Sequence, residues 1–93
     1  MFNFNDYKMT GNVAVDMVAA CVLHYRKRRR ALKTIFLSPY KYNQFKEWVI
    51  KEFGEEKAKT MRYEFDGVHI DLGSIFQKET LTVEFWPEQH INN

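Results

Sequence analysis

The chain has 93 residues, of which 45% are hydrophobic and 16% aromatic, a composition that excludes a disordered protein and suits one domain with a packed core. The net charge of +2 is unevenly divided: residues 1–34 hold seven Lys/Arg and two Asp, whereas residues 35–93 hold seven Lys/Arg and ten Asp/Glu. A basic end and an acidic end suit either head-to-tail association or contact with a polyanion. The single cysteine, Cys21, excludes an internal disulfide.

The composition along the chain divides it into three parts. We predict an N-terminal arm over residues 1–10, a single α+β domain over residues 11–87 and a polar tail over residues 88–93. The arm is polar and aromatic, and we expect Phe2 and Phe4 to anchor it on the domain or on a partner. Thr10 or Asn12 is expected to cap the first helix.

The stretch 11–30, GNVAVDMVAACVLHYRKRRR, predicts a helix that is apolar on nearly every side, with only Asp16 interrupting it. It is short for a transmembrane span, and its charges follow the apolar run, whereas those of a signal peptide precede it. It then either packs inside its own domain or is shared with a second copy or another protein. We favour the shared helix, because a small domain has little else to cover it. The predicted contact residues are Val13, Met17, Val18 and Val22, together with Phe2 and Phe4.

A basic run follows the apolar residues directly. Cations at a helix C-terminus oppose the negative end of the helix dipole, so part of the run is explained by capping and solubility. Five consecutive basic residues exceed that need, and such runs commonly contact phosphate. The predicted phosphate or nucleic-acid contacts are Arg26, Lys27, Arg28, Arg29, Arg30 and Lys33.

The middle of the chain predicts a strand and a second helix. Residues 31–37, ALKTIFL, indicate a strand covered on both faces. Ser38 and Pro39 are typical of a helix start, and Gly54 of a helix end after about Phe53. Residues 55–60, EEKAKT, are interpreted as a solvated connection.

The sequence of residues 61–72, MRYEFDGVHIDL, predicts a β-hairpin. Asp66-Gly67 is typical of a two-residue type I′ turn, which pairs Phe65 with Val68 and places the apolar residues on one face. On the other face, the same register pairs Glu64 with His69. We expect residues 75–76, Ile-Phe, to lie under the sheet.

Residues 80–86, TLTVEFW, indicate a last strand with Leu81, Val83 and Phe85 facing inward. The predicted fold is α+β: an N-terminal apolar helix, then strand–helix–β-hairpin–strand. These strands form a small, mostly antiparallel four-stranded sheet with a helix on one face.

The sequence contains no pattern of residues typical of catalysis. His24, His69 and His90 have no metal-ligand spacing to one another or to Cys21, and there is no phosphate-binding or dinucleotide fingerprint. Cys21 and His24 have the spacing of a nucleophile and a base, but the thiol lies in an apolar helix. We predict no catalytic, cofactor or metal residues, and a protein that is not an enzyme.

The segments KTIFLSPYKYNQFKEW, FDGVHIDLGS and LTVEFWPE resemble small proteins of tailed bacteriophages, over residues 33–88. The resemblance implies a virion or assembly component, or a phage protein without an assigned activity, and it brings no catalytic residues. Two functions are expected: a structural protein that oligomerises or joins a larger complex, or a small nucleic-acid-binding protein. Its expected place is the host cytoplasm or the virion, since no signal for secretion is evident.

Overall fold

The computed structural model describes residues 10–87, which form three helices and four strands. In chain order these are α1 (Val13–Lys27), β1 (Leu32–Leu37), α2 (Pro39–Phe53), α3 (Glu55–Thr60), β2 (Glu64–Phe65), β3 (Val68–Leu72) and β4 (Leu81–Phe85). The strands form one sheet in the order β2-β3-β1-β4. The predicted α+β class and four-stranded, mostly antiparallel sheet are confirmed.

The central strand β1 lies between one parallel and one antiparallel strand. It pairs with β3 in parallel, with Ile35 opposite Ile70, and with β4 antiparallel, with Ile35 opposite Val83. An irregularity between Leu32 and Thr34 adds one residue to β1 relative to β4. Because β1 lies between two other strands, the apolar run predicted for a covered strand is at the centre of the sheet.

The predicted hairpin is present with the predicted register. Phe65 pairs with Val68 and Glu64 with His69, and Asp66 and Gly67 have φ of 51° and 85°. Two consecutive positive φ values are the signature of a type I′ turn. The first strand is shorter than predicted, since β2 has only two residues.

Helix α2 has the predicted bounds. Ser38 precedes it and Pro39 is its first residue, while Gly54 follows with a φ of 91°. Its buried residues Phe45, Trp48 and Val49 join one core with α1 and the sheet.

Residues 55–60 are exposed except for Ala58, as a solvated connection should be, but they form the short helix α3. Gly54 has a positive φ, which lets α3 begin directly where α2 ends. Ala58 is the buried residue of α3, so this small apolar contact is what attaches it to the core.

The placement predicted for Ile75 and Phe76 is wrong. Their exposed fractions are 78% and 84%, and they project from the connection between β3 and β4. The side chain that does fold back from this connection is that of Gln77, whose amide donates to the carbonyl oxygens of Phe36 (3.3 Å) and Glu79 (2.9 Å). These hydrogen bonds hold the connection against the sheet with a polar side chain in place of apolar ones.

Helix α1 starts at a cap that the sequence predicted. The Asn12 side chain accepts a hydrogen bond from the Val15 amide (3.1 Å) and donates to the Gln44 carbonyl oxygen of α2 (2.9 Å). Asp16 accepts hydrogen bonds from the amides of Thr10 (3.0 Å) and Gly11 (3.2 Å), so its carboxylate satisfies donors that precede the helix.

We expected the domain to be too small to cover α1, but the inner face of this helix is buried. That face is packed in the protein's own core through Ala14, Val15, Val18, Ala19 and Val22. Small side chains let the helix lie close to α2 and the sheet, so one domain suffices to bury them. Val18 and Val22 are therefore core residues and are not available as the partner contacts that the sequence predicted. None of the helices among residues 10–87 is long and apolar enough to cross a membrane.

Candidate phosphate-binding surface

The chain leaves α1 through a turn that needs an unusual backbone conformation. The amide of Arg30 donates to the carbonyl oxygen of Tyr25 (2.9 Å) and the amide of Arg29 to that of Arg26 (3.0 Å). This pair of hydrogen bonds is the Schellman motif, which normally has glycine at the residue with positive φ. Here that residue is Arg29, with a φ of 56°. An L-residue in this region costs on the order of 1–2 kcal/mol relative to right-handed helical backbone.

This turn brings three arginines to one cleft. Arg26 comes from the last turn of α1, and Arg29 and Arg30 from the turn itself. The cleft has a volume of about 320 Å³ and lies between the end of α1, the start of β1 and the turn of the hairpin. Its other lining residues are Val22, Ala31, Leu32, Asp66, Gly67 and Val68.

Two members of the basic run have structural partners. Arg26 forms an ion pair with Asp66 in the hairpin turn. Arg28 donates from its guanidinium to the carbonyl oxygen of His24 (3.1 Å), so it caps α1 as cations at a helix C-terminus do. Within residues 10–87, Lys27 and Arg29 have no such side-chain partner and are exposed. The sequence predicted both a cap for α1 and surplus cations. Arg28 is the cap, and Lys27 and Arg29 are the surplus cations.

Aromatic rings extend the basic run along the adjacent end of β4. The Arg30 guanidinium lies over the Phe85 ring, 4.1 Å from its centroid, and the Lys33 ammonium lies 5.1 Å from the centroid of Trp86. The Trp86 amide donates to the Ala31 carbonyl oxygen (2.9 Å), which fixes Trp86 beside the arginine turn. Trp86 is 53% exposed. We call residues 26–30, Lys33 and Trp86 the basic surface.

The basic surface has the chemistry of a phosphate-binding site. Guanidinium groups bind phosphate oxygens with paired hydrogen bonds, and an exposed indole offers a face on which a base can stack. Two carboxylates lie beside the basic surface, and each has a basic partner: Asp66 pairs with Arg26, and Glu84 lies 3.6 Å from the Lys33 nitrogen. Since Arg29 and Lys27 are left without a carboxylate, the surface retains positive charge.

The sequence located the basic residues of this surface but not its shape. All six predicted phosphate contacts lie at or next to the C-terminal end of α1, and three of them line the cleft. The sequence did not indicate Asp66 as the neutralising partner of Arg26, since that contact joins distant parts of the chain. Trp86 is not among the predicted phosphate or nucleic-acid contacts. Its position just before Pro87, where the strand ends, is the signal that favours exposure.

The predicted partner contacts are scattered. Val13 is 53% exposed and Met17 is half-buried, whereas Val18 and Val22 lie in the core. Phe2 and Phe4 lie outside the described residues. Among residues 10–87, the large hydrophobic side chains with the greatest exposure are Ile75 and Phe76, and Leu72 in β3 is half-exposed.

The thiol of Cys21 is not placed for nucleophilic chemistry. Burial raises the pKa of the Cys21 thiol, which keeps it protonated and unreactive near neutral pH. The ring of His24 stacks edge-on against that of Tyr25, with 4.8 Å between centroids. Residues 10–87 contain no group of three or more His, Cys, Asp or Glu side chains arranged to hold a metal ion.

Comparison with known proteins found no match among protein-family models, curated proteins or solved structures.

Proposed function

We propose that the protein is a non-enzymatic binding protein whose basic surface holds the phosphate backbone of a nucleic acid. The observation that carries this proposal is the convergence of Arg26, Arg29 and Arg30 on one cleft. Lys33 and Trp86 continue this surface along the end of β4. The arginines supply charge-assisted hydrogen bonds to phosphate, and Trp86 supplies a stacking face that a single-stranded segment can use.

Arg29 gives this proposal a second support. Its positive φ carries a cost that glycine at the same position would avoid. The turn does not require an arginine side chain, and that side chain makes no ion pair with any carboxylate in residues 10–87. A binding role gives the residue a function that the fold alone does not.

The test is fluorescence anisotropy of a labelled single-stranded oligonucleotide, titrated with protein at a series of salt concentrations. We expect binding at low salt that weakens steeply as salt increases. In a variant with Arg29, Arg30 and Lys33 all changed to Gln, the slope of log affinity against log salt should decrease by roughly 2, at about 0.7 per lost phosphate contact.

The matched control removes the same charge elsewhere. Lys46, Lys51 and Lys59 are exposed on α2 and α3, away from the basic surface. Changing these three to Gln should leave most of the affinity in place. Equal losses of affinity in the two variants would show that net charge, and not the basic surface, accounts for binding. Absence of binding by the unaltered protein at low salt would refute the proposal.

A second candidate function is that of a structural protein in a larger assembly, and the exposure of Ile75 and Phe76 favours it. Exposed large apolar side chains side by side are typical of contact surfaces. Together with the resemblance to phage proteins, they support a virion or assembly component acting in the host cytoplasm or the virion. Val13, Met17, Phe2 and Phe4 remain proposed partner contacts.

The assembly candidate has its own test. Changing Ile75 and Phe76 to Ser leaves the core untouched, so the melting temperature should change little. If the residues form an assembly contact, the doubly substituted protein should fail to enter the particle or complex that contains the unaltered protein. Normal incorporation of the variant would exclude this contact.

A further inference from the structure

Strand β4 is the outer strand on its side of the sheet, and its backbone fixes which groups face outward. The Ser38 amide donates to the Thr80 carbonyl oxygen (2.9 Å), and the Trp86 amide donates to that of Ala31 (2.9 Å). Hydrogen-bonding residues alternate along an antiparallel pair, so the even-numbered residues of this segment face β1. The amides and carbonyls of Leu81, Val83 and Phe85 therefore point away from the sheet. No strand among residues 10–87 pairs with them.

The outer edge of β4 lacks most of the features that prevent strands from pairing between molecules. Such edges commonly carry lysine, proline or a bulge. The sequence of β4, LTVEF, contains neither lysine nor proline, and the irregularity in the β1–β4 pair adds its extra residue to β1. Its one charge, Glu84, faces Lys33 of the same chain at 3.6 Å.

We propose that β4 pairs antiparallel with β4 of a second copy of this chain, with Val83 opposite Val83 at the twofold axis. The two four-stranded sheets would then form one continuous sheet. Each of Leu81, Val83 and Phe85 would both donate and accept one hydrogen bond across the contact. Leu81 would lie opposite Phe85 of the second copy, and Thr82 opposite Glu84 of the second copy.

The side chains of β4 are complementary to themselves in this register. Leu81, Val83 and Phe85 are only half-buried against the core, so a second copy covers apolar surface that one chain leaves exposed. On the other face, neutral Thr82 lies opposite the carboxylate of Glu84 of the second copy, so no like charges face each other. Each carboxylate also has its own Lys33, so the contact brings no unbalanced charges together.

Charge and hydrogen bonding disfavour the neighbouring registers. A shift toward the end of the strand places Glu84 opposite Glu84, and like charges directly opposite each other are destabilising. A shift toward the start centres the pair on Thr82 and leaves Phe85 without a partner in the opposing strand. A contact of five residues per chain is small, so we expect a weak dimer in the size class of transient interfaces.

Sedimentation velocity of the full chain over a range of concentrations tests whether the dimer exists. The proposal predicts a reversible shift from monomer to dimer as concentration increases. Two substitutions at Thr82 then test the register, and both lose its hydrogen bond to Gln77 (3.2 Å). Thr82→Lys places an ammonium opposite Glu84 of the second copy and should tighten the dimer about fivefold, whereas Thr82→Glu should weaken it by a similar factor. Equal effects of the two substitutions would overturn the register.

Disulfide trapping gives a second, direct readout. In a Cys21→Ala background, Val83→Cys should form a cross-linked dimer under mild oxidation, because directly opposed residues in a hydrogen-bonded pair lie within disulfide range. Glu84→Cys lies opposite Thr82 and should cross-link much more slowly. A monomer at all concentrations, or faster trapping of Glu84→Cys, would overturn the proposal. Neither result depends on nucleic acid, so the dimer and the phosphate-binding function can fail separately.

Discussion

The guanidinium of Arg26, in the last turn of α1, forms an ion pair with the carboxylate of Asp66, in the turn between β2 and β3. The pair joins the C-terminal end of a helix to a hairpin that lies far along the chain. It also neutralises one of the three arginines of the cleft. The same carboxylate therefore both supports the fold and limits the positive charge of the basic surface.

Removing that carboxylate should strengthen nucleic-acid binding. Asparagine tolerates positive φ, so Asp66→Asn preserves the type I′ turn while it frees Arg26. Loss of a partly exposed ion pair should lower stability by about 1 kcal/mol or less. Affinity for a single-stranded oligonucleotide at low salt should increase about fivefold, which corresponds to about 1 kcal/mol for one unit charge at close range. Asp71→Asn removes the same charge from the exposed face of the sheet and should change affinity less. Weaker binding by Asp66→Asn would contradict this role.

Replacing Arg29 should separate stability from binding. Arg29→Gly removes the cost of positive φ and should stabilise the fold by about 1 kcal/mol in thermal or urea unfolding. The same change removes a guanidinium from the cleft and should weaken nucleic-acid binding. Arg29→Ala is the matched variant, since it loses the guanidinium but retains the backbone cost. If the guanidinium binds phosphate, both variants lose affinity and only Arg29→Gly gains stability.

The hairpin turn depends on Gly67. Its φ of 85° is accessible to glycine at no steric cost, and a β-branched residue resists it. Gly67→Val should therefore lower the free energy of unfolding by about 1 kcal/mol or more. Gly67→Asn, which tolerates the same conformation, should cost less. Since a Cβ at residue 67 would contact nothing within 4 Å, any loss reports backbone strain and not a clash. Unchanged stability of Gly67→Val would exclude the turn.

The stability of the protein should fall in strongly alkaline solution. Burial raises the pKa of the phenols of Tyr42 and Tyr63, and for Tyr42 the neighbouring Tyr63 and Asp71 raise it further. Because the unfolded chain releases these protons at about pH 10, the free energy of unfolding decreases above that pH. The stabilising contribution is thus complete below about pH 10 and is lost as the pH rises through the folded-state pKa values.

The measurement is urea unfolding at a series of alkaline pH values. Tyr63→Phe and Tyr42→Phe should each flatten the decrease in stability, because they remove a group that must ionise. Tyr40→Phe changes an exposed phenol and is the control. An unaltered pH profile in the first two variants would show that other groups dominate alkaline unfolding.

Local sequence patterns predicted the hairpin and the limits of α2 correctly. The Asp66-Gly67 turn determined the hairpin register, and Ser38, Pro39 and Gly54 determined the limits of α2. Long-range pairings were harder. The parallel contact between β1 and β3 depends on how α2 and α3 return the chain, and no adjacent residues encode it.

The errors have a common physical cause, because burial depends on what the rest of the fold places nearby. The sequence predicts Val18 and Val22 as partner contacts because α1 is apolar on nearly every side, yet both are buried in the protein's own core. The α2 helix and the sheet do cover them. Conversely, Ile75 and Phe76 were assigned to the interior by hydrophobicity alone, but Gln77 makes the contacts that hold that segment. The basic surface was predictable as a run of charges, whereas the Arg26–Asp66 pair required the fold.

The position of β1 at the centre of the sheet has a consequence for the order of folding. Its two neighbours, β3 and β4, both come later in the chain, and β4 is the last of the strands in residues 10–87. During synthesis β1 emerges from the ribosome well before either neighbour, with its apolar side chains unpaired. The hairpin forms from local contacts, but contacts between distant segments form more slowly. Until β4 is added, β1 is an edge strand whose backbone amides and carbonyls on that side are unpaired. Slow translation or truncation before Leu81 should therefore favour aggregation.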